Sequence, residues 1–385
     1  MLDVALEGGS VDLVGALDLD RSPTGITPRR LPAWTRPQIP DPFMDVMVQI
    51  PSGVRLRFLT DSAVVELDVM LTMFRILPNP PMPAVFDLVA DGELAGQVRT
   101  EVGTVVAVDL VDPTQLSIDE GLPTTIRFDG LSATSKVVEL WLPQAALVEL
   151  RGLRIERGAT VEPAPQPARR RWVHYGSSIS HCMEAGSPTT TWPAIAARAA
   201  EVELLSLGFA GQCMLDQFVA RTMRDLPADV VSVKVGINLV NADAMRDRTF
   251  APALHGFLDT VRERQPATPI LLVSPIYCPS AEDKPGPTIM GPDGRFITVD
   301  GLGDLRLTCL TLTKIRQTMD DLVTARRKLG DANLHYLNGL ELFGPADAKD
   351  LPDDLHPNPA GYVRIGQRFA ALAFGPRGAL ALPLA

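Results

Sequence analysis

Two adjacent serines, Ser177 and Ser178, stand where the apolar run RWVHYG gives out at a glycine. A hydroxyl just beyond such a strand end points into the crevice where open parallel sheets bind ligands, and Gly176 permits the sharp turn. A serine there is a candidate nucleophile for acyl transfer; a turn or capping serine is the alternative. Acyl transfer also needs a base and a group to orient it. DDLHPNPAGY offers both, with Asp353 three residues ahead of His356. Residues three apart on a tight turn share a side, so the carboxylate can accept the imidazole Nδ1–H and leave Nε2 facing a hydroxyl. The competing reading is an ordinary helix start, where aspartate is common and Pro357 fits. A metal site lacks support, because no second His/Asp/Glu cluster has ligand spacing.

The oxyanion of such a reaction has to be held. SLGFAGQC contains Gly211, whose N–H is free to point at a substrate, and VKVGINLVN offers the Asn238 amide. With the Ser178 N–H these make three donors arriving from three consecutive strand ends. Taken singly, a loop glycine is usually a turn and an asparagine after a strand is usually a local cap. His181 and Gln212 are candidates for the substrate pocket, a packed loop histidine being the alternative for His181. His174, His255 and His335 read as structural or surface residues. A G-x-S-x-G elbow would need glycine at 180, where Ser180 stands. No P-loop or G-x-G-x-x-G occurs, so a nucleotide-dependent enzyme would lack its phosphate cradle.

Positioning these residues requires a parallel sheet. After Arg171 the strand candidates RWVHYG, VELLSLG, DVVSVKVG, TPILLVSPI and LHYLNG alternate with amphipathic helical patterns. Near-continuous apolar strands alternating with helices imply a sheet covered on both faces. The Pro/Gly-rich stretch 279–303 interrupts this rhythm at a strand's carboxyl end and is a candidate lid or pocket wall. Before about Val161 the rhythm is β: short, partly alternating runs such as SAVVELDVMLTMFRI and KVVELWLP, separated by Asp-Gly or proline-containing turns. Many short strands at this spacing predict a sandwich or jelly roll. The predicted division is an all-β sandwich over 1–162, a linker over 163–171 and an α/β domain over 172–385.

Composition narrows the function classes. The 385 residues are 46% hydrophobic and 21% charged, with 34 prolines, which suits a loop-rich globular chain of one or two domains. A net charge of −10 argues against nucleic-acid binding, and the basic run Arg169–Arg171 is too short to reverse it. No segment is apolar for long enough to span a bilayer, and the first residues lack the basic flank of a signal peptide. Four cysteines without C-x-x-C spacing predict reduced, buried thiols. A cytoplasmic location is expected, or secretion if a leader has been trimmed.

Ser, Gly, Asn and then Asp-x-x-His thus fall in order at the ends of three strands and before the last helix. Here the chain resembles the SGNH/GDSL hydrolase family, named for these residues, over roughly Arg171 to Gly375. The resemblance implies Ser178 as nucleophile, since the family's first motif reads Gly-Asp-Ser, and it leaves Ser177 in the slot usually held by Asp. It implies Asp353 and His356 as acid and base, and the Ser178 N–H, Gly211 and Asn238 as oxyanion donors. It further implies a flavodoxin-like three-layer α/β/α hydrolase domain needing no metal or organic cofactor. The β-rich half is similar to the N-terminal sandwich of some members. The expected activity is that of a serine esterase acting on short-chain acyl esters, acetyl above all, of small molecules or carbohydrates. The alternatives are an acyltransferase using the same triad and a catalytically silent ligand-binding protein.

Overall fold

The computed structural model describes residues 1–77, 79–109, 116–166, 169–301 and 307–381. The chain divides into two compact units, one of Met1–Ala168 with Ala185–Thr189, the other of Arg169–Glu184 with Thr190–Ala385. Of the segment predicted as a linker, Pro167 and Ala168 lie outside the described residues, and Arg171 already begins a strand.

The first unit holds an eight-stranded and a six-stranded sheet. Val65–Ile76 alternates inward and outward along most of its length, and Val65, Leu67, Val69, Leu71 and Met73 are fully buried. It pairs antiparallel with Ala146–Ile155, whose register shifts between Leu150 and Gly152. In the other sheet Lys136–Trp141 lies between Arg55–Thr60 and Ala84–Ala90. Inward side chains of both sheets, such as Leu67 and Val148 from one and Phe58, Phe86 and Leu140 from the other, form one apolar cluster. Each contributes about 1.5–3 kcal/mol by leaving water. The Asp-Gly signal is a true hairpin turn: Asp91 and Gly92 both have positive φ, 47° and 89°, as a primed turn requires.

Among the described residues two helical elements depart from the all-β reading, a 3-10 helix at Ala33–Gln38 and an α-helix after it. Pro42–Gln49 is an α-helix whose first turn is capped by the Asp41 side chain, which accepts the Met44 N–H. The signal was present in the sequence: Asp-Pro at the cap and first position, followed by Met44, Met47 and Val48 on one buried face.

The second unit is built on a five-stranded parallel sheet: β1 (Arg171–Gly176), β2 (Glu203–Gly208), β3 (Val230–Lys234), β4 (Ile270–Val273) and β5 (Leu334–Leu337). Its order is 2-1-3-4-5, a doubly wound arrangement in which ligands bind at the carboxyl ends near β1. The helices used below are α1 (Ser178–His181), α2 (Trp192–Ala199), α3 (Gln217–Asp225), α4 (Ile237–Asn241), α5 (Asp247–Arg262), α6 (Leu312–Lys328) and α7 (Pro359–Phe369). Residues of β1 show why both faces are covered. Trp172 packs toward Trp192 of α2 and stacks on Phe369 of α7, while Tyr175, pointing the other way, stacks on Phe257 of α5. A strand buried on both sides cannot alternate with polar residues, hence the continuous apolar runs. Among the described residues no helix is long and apolar enough to cross a membrane.

The stretch predicted as a lid or wall contains a short hairpin, Thr288–Met290 paired with Phe296–Thr298; residues 302–303 of it lie outside the described residues. Its start is anchored by Arg316 of α6, which is bidentate to Glu282 and donates to the Pro275 and Ile276 carbonyls.

Candidate active site

Strands β1, β2 and β3 end level with one another, Gly176 lying opposite Gly208 on one side and Lys234 on the other. From the end of β1 the chain turns at once into α1, a single turn of helix. The Ser180 and His181 N–H groups donate to the Ser177 carbonyl, and Cys182 closes the turn in the left-handed conformation (φ 61°), donating to the Ser178 carbonyl. Two glycines make this tight entry feasible. A Cβ on Gly176 would lie 2.2 Å from the Ser180 Oγ, and one on Gly208 2.6 Å from the His181 N.

Below the turn, His174 is fully buried, its Nδ1 2.7 Å from the Ser232 Oγ and its Nε2 2.8 Å from the Ser180 Oγ. Burial first, and the Lys234 ammonium second, push its pKa down to about 3. A neutral imidazole therefore braces α1 against β3, and Trp172 donates its indole N–H to the same Ser232 hydroxyl.

The last loop brings the other half of the site. His356 Nε2 lies 3.0 Å from the Ser178 Oγ, and its Nδ1 2.7 Å from Asp353 Oδ2. The other Asp353 oxygen accepts the Leu355 and His356 N–H groups, so the carboxylate is held on both sides. Burial acts to raise the Asp353 pKa, but these hydrogen bonds and the His356 charge hold it below the usual carboxylate value. The competing helix-start reading is met by a different residue: Asn358 caps α7, accepting the Gly361 N–H, and Pro359 takes the first turn. Asp353 is left to the imidazole.

Gly211 sits in the loop after β2 with φ 71°. Among the described residues neither its N–H nor that of Ser178 has a backbone acceptor. Asn238, on α4 after β3, is 4% exposed, and its Oδ1 accepts the Cys213 N–H at 3.0 Å. An N–H at that end fixes which way the amide points and leaves the Nδ2 hydrogens as the outward donors. His181 is fully buried on α1, and Gln212 is partly exposed, its N–H donating to the Phe209 carbonyl. Ser177, 1% exposed, has a buried Oγ without a hydrogen-bond partner.

Three neighbours of the site were not singled out from the sequence. Phe296, from the hairpin, sets its ring edge-on to the His356 imidazole at 5.6 Å and donates its N–H to the Asp353 carbonyl. Arg295 beside it pairs with Asp354 at 2.6 Å. Glu184, shortly after α1, reaches to 4.0 Å from His356 Nδ1. None of the three has a motif, since each arrives through tertiary packing. Three of the cysteines are poor rivals as nucleophiles: burial pushes the thiols of Cys213 and Cys278 up to about 12 and about 11, and that of Cys182 well above its ordinary value.

Comparison with known proteins places the chain among GDSL-like enzymes. Residues 169–281 match the GDSL-like lipase/acylhydrolase family profile. A solved salicylyl-acyltransferase from a tetracycline biosynthetic pathway is 31% identical, with 95% of each chain covered and a TM-score of 0.79. A Bacteroides ovatus protein described as a GDSL-like lipase is 20% identical, with 93% of each chain covered and a TM-score of 0.66. A family two carbohydrate esterase from Clostridium thermocellum, solved with cellohexaose, is 14% identical over 94% of this chain and 97% of its own, with a TM-score of 0.59. The last two share the fold. No curated protein matches the chain.

Proposed function

Because the chain belongs to the GDSL-like lipase/acylhydrolase family, we propose that it transfers acyl groups through a covalent intermediate on Ser178, with water as the usual acceptor. His356, oriented by Asp353, takes the Ser178 proton as the hydroxyl attacks an ester carbonyl. The Ser178 and Gly211 N–H groups and the Asn238 amide stabilise the tetrahedral oxyanion; the loss of one such donor costs about 3–4 kcal/mol of transition-state stabilisation. His356 then protonates the leaving alcohol and activates water to release the acid.

The observation that carries this reading is the Asp353–His356–Ser178 line, with separations of 2.7 and 3.0 Å. The substrate is a short-chain acyl ester, acetyl above all, with carbohydrate esters supported only by likeness of fold to carbohydrate esterases. The first unit serves as a β-sandwich accessory domain, a reading supported by its two sheets sharing one apolar cluster.

A second reading is favoured by one comparison. Identity of 31% along 95% of a salicylyl-acyltransferase supports transfer to an alcohol by the same residues. Hydrolysis of p-nitrophenyl acetate should collapse in Ser178→Ala and survive in Ser177→Ala, and a phosphonate probe should label the Ser178 peptide. The reverse pattern would reassign the nucleophile. Adding acceptor alcohols and measuring ester against free acid separates transfer from hydrolysis.

A further inference from the structure

The imidazole of His356 has two acidic neighbours. Besides Asp353 at 2.7 Å, Glu184 places Oε1 4.0 Å from the same Nδ1. Its other oxygen, Oε2, accepts a hydrogen bond of 2.8 Å from the Tyr362 hydroxyl. Tyr362 is fully buried on α7, and burial, then the nearby Glu184 charge, raise its phenol well above the ordinary value, so it stays a donor. Among the described residues Glu184 Oε1 has no hydrogen-bond donor of its own; the nearest cationic group is the imidazole. A residue serving only to tie the loop after α1 to α7 would need the phenol contact alone.

We propose that Glu184, held in place by Tyr362, is a positioning residue for His356: a second carboxylate that acts beside Asp353 to stabilise the imidazolium and thereby sets the pH range of acyl transfer. The proposal rests on the acyl-transfer reading above, with His356 as base.

The surroundings of the ring leave these two acids in charge of it. Asp353 comes from its own loop, Glu184 from the segment after α1, and the Ser178 hydroxyl from α1 itself. The hairpin presents the neutral Phe296 ring, while its Arg295 is engaged by Asp354. Cys278, from the loop after β4, remains a thiol and donates to the Asp354 carbonyl. Burial works against charging His356, yet Glu184 and then Asp353 outweigh it and raise its pKa to about 9. A base raised in this way is protonated at neutral pH, so kcat/KM climbs with pH until the ring loses its proton. Removing one of two carboxylates shifts that limb toward acid. At 4.0 Å, with the attraction reduced by water at the partly exposed Glu184, the shift is about one pH unit, or about tenfold more neutral imidazole at pH 7.

The test is the pH profile of kcat/KM for p-nitrophenyl acetate between about pH 5.5 and 10, with the Ser178→Ala rate subtracted at each point. Wild type should show an alkaline limb, Glu184→Gln the same limb about one unit lower with a plateau reduced less than tenfold, and Glu184→Asp a limb near wild type. A Glu184→Gln limb coincident with that of wild type, with activity merely lower throughout, would overturn the proposal and leave a structural tie. If Glu184→Gln does not fold, 13C-histidine NMR of wild type, assigned with His356→Asn, reads the same quantity. A midpoint above pH 8 is expected; one at the ordinary 6.5 would overturn the idea. Activity independent of Ser178 would sink the acyl-transfer reading instead, while the NMR midpoint would still report whether two acids charge the ring.

Discussion

Replacing Asn238 separates what its side chain does for the fold from what it does for the reaction. Its Oδ1 accepts the buried Cys213 N–H, while its Nδ2 is the proposed oxyanion donor. Asn238→Ala removes both. Loss of the donor should lower kcat by about 100- to 1000-fold, equivalent to about 3–4 kcal/mol, with KM little changed, because the contact matters only once charge has developed on the oxygen. Loss of the acceptor strands a buried N–H and costs a further 1–3 kcal/mol of stability, roughly 2–4 °C of melting temperature per kcal/mol in a unit of this size. Asn238→Asp keeps an oxygen for Cys213 and puts negative charge where the oxyanion forms. It should therefore melt near wild type and be at least as inactive as the alanine variant. The assay is kcat and KM for p-nitrophenyl acetate, paired with thermal melts. An Asn238→Ala enzyme with kcat within fivefold of wild type would refute the donor role. An aspartate variant destabilised as much as the alanine one would refute the division of labour between the two ends of the amide.

Two further expectations come from the same neighbourhood. Lys234 is 2% exposed, and burial above all lowers its pKa to about 8 from 10.5, with no carboxylate among the charges acting on it. The folded state therefore binds this proton less tightly than the unfolded chain does. The penalty is full below pH 8 and shrinks as pH rises toward 10.5. Lys234→Met should raise the unfolding free energy read from urea melts at pH 7 by an amount on the order of 3 kcal/mol, with a smaller gain at pH 9.5, and no gain at pH 7 would count against a buried charge. Phe296→Ala keeps the backbone bond to Asp353 but removes the ring against His356; kcat/KM should fall by roughly 2- to 10-fold, the worth of one aromatic contact, and an unchanged value would mean that the ring does not steady the base.

What the sequence made legible was what is local. Asp353 and His356 are three residues apart and meet inside one turn, so their spacing alone announces the pair. RWVHYG and DVVSVKVG coincide with β1 and β3 because strands buried on both faces are largely apolar, and LHYLNG contains β5, whose Leu334 and Leu337 are buried while His335 and Tyr336 are half-buried. The helix Pro42–Gln49 was hidden by its setting among β runs, although its aspartate cap and proline were in view. Glu184 gave no signal, since the sheet and α7 fold it against a histidine 172 positions away, and HCMEAGSP has no spacing that asks for a charge there. The bracing of α1 by His174 was equally silent, because a histidine in a strand reads the same whether it spans two serines or merely fills space.

The flush ending of β1, β2 and β3 has a bearing on how such a site can diversify. The level is set by backbone pairing, Gly176 opposite Gly208 and Lys234, and owes nothing to the side chains around the rim. A slip of one residue would move a strand end by about 3.3 Å and swap its two faces, carrying His174 out of reach of Ser180. The stretch that carries the hairpin and the loop after α1 are held instead by side chains, Arg316 on Glu282 and Tyr362 on Glu184. Changes to those borders can thus leave the level of the three strand ends and the bracing of Ser180 by His174 in place, but through Phe296 and Glu184 they reach the imidazole of His356.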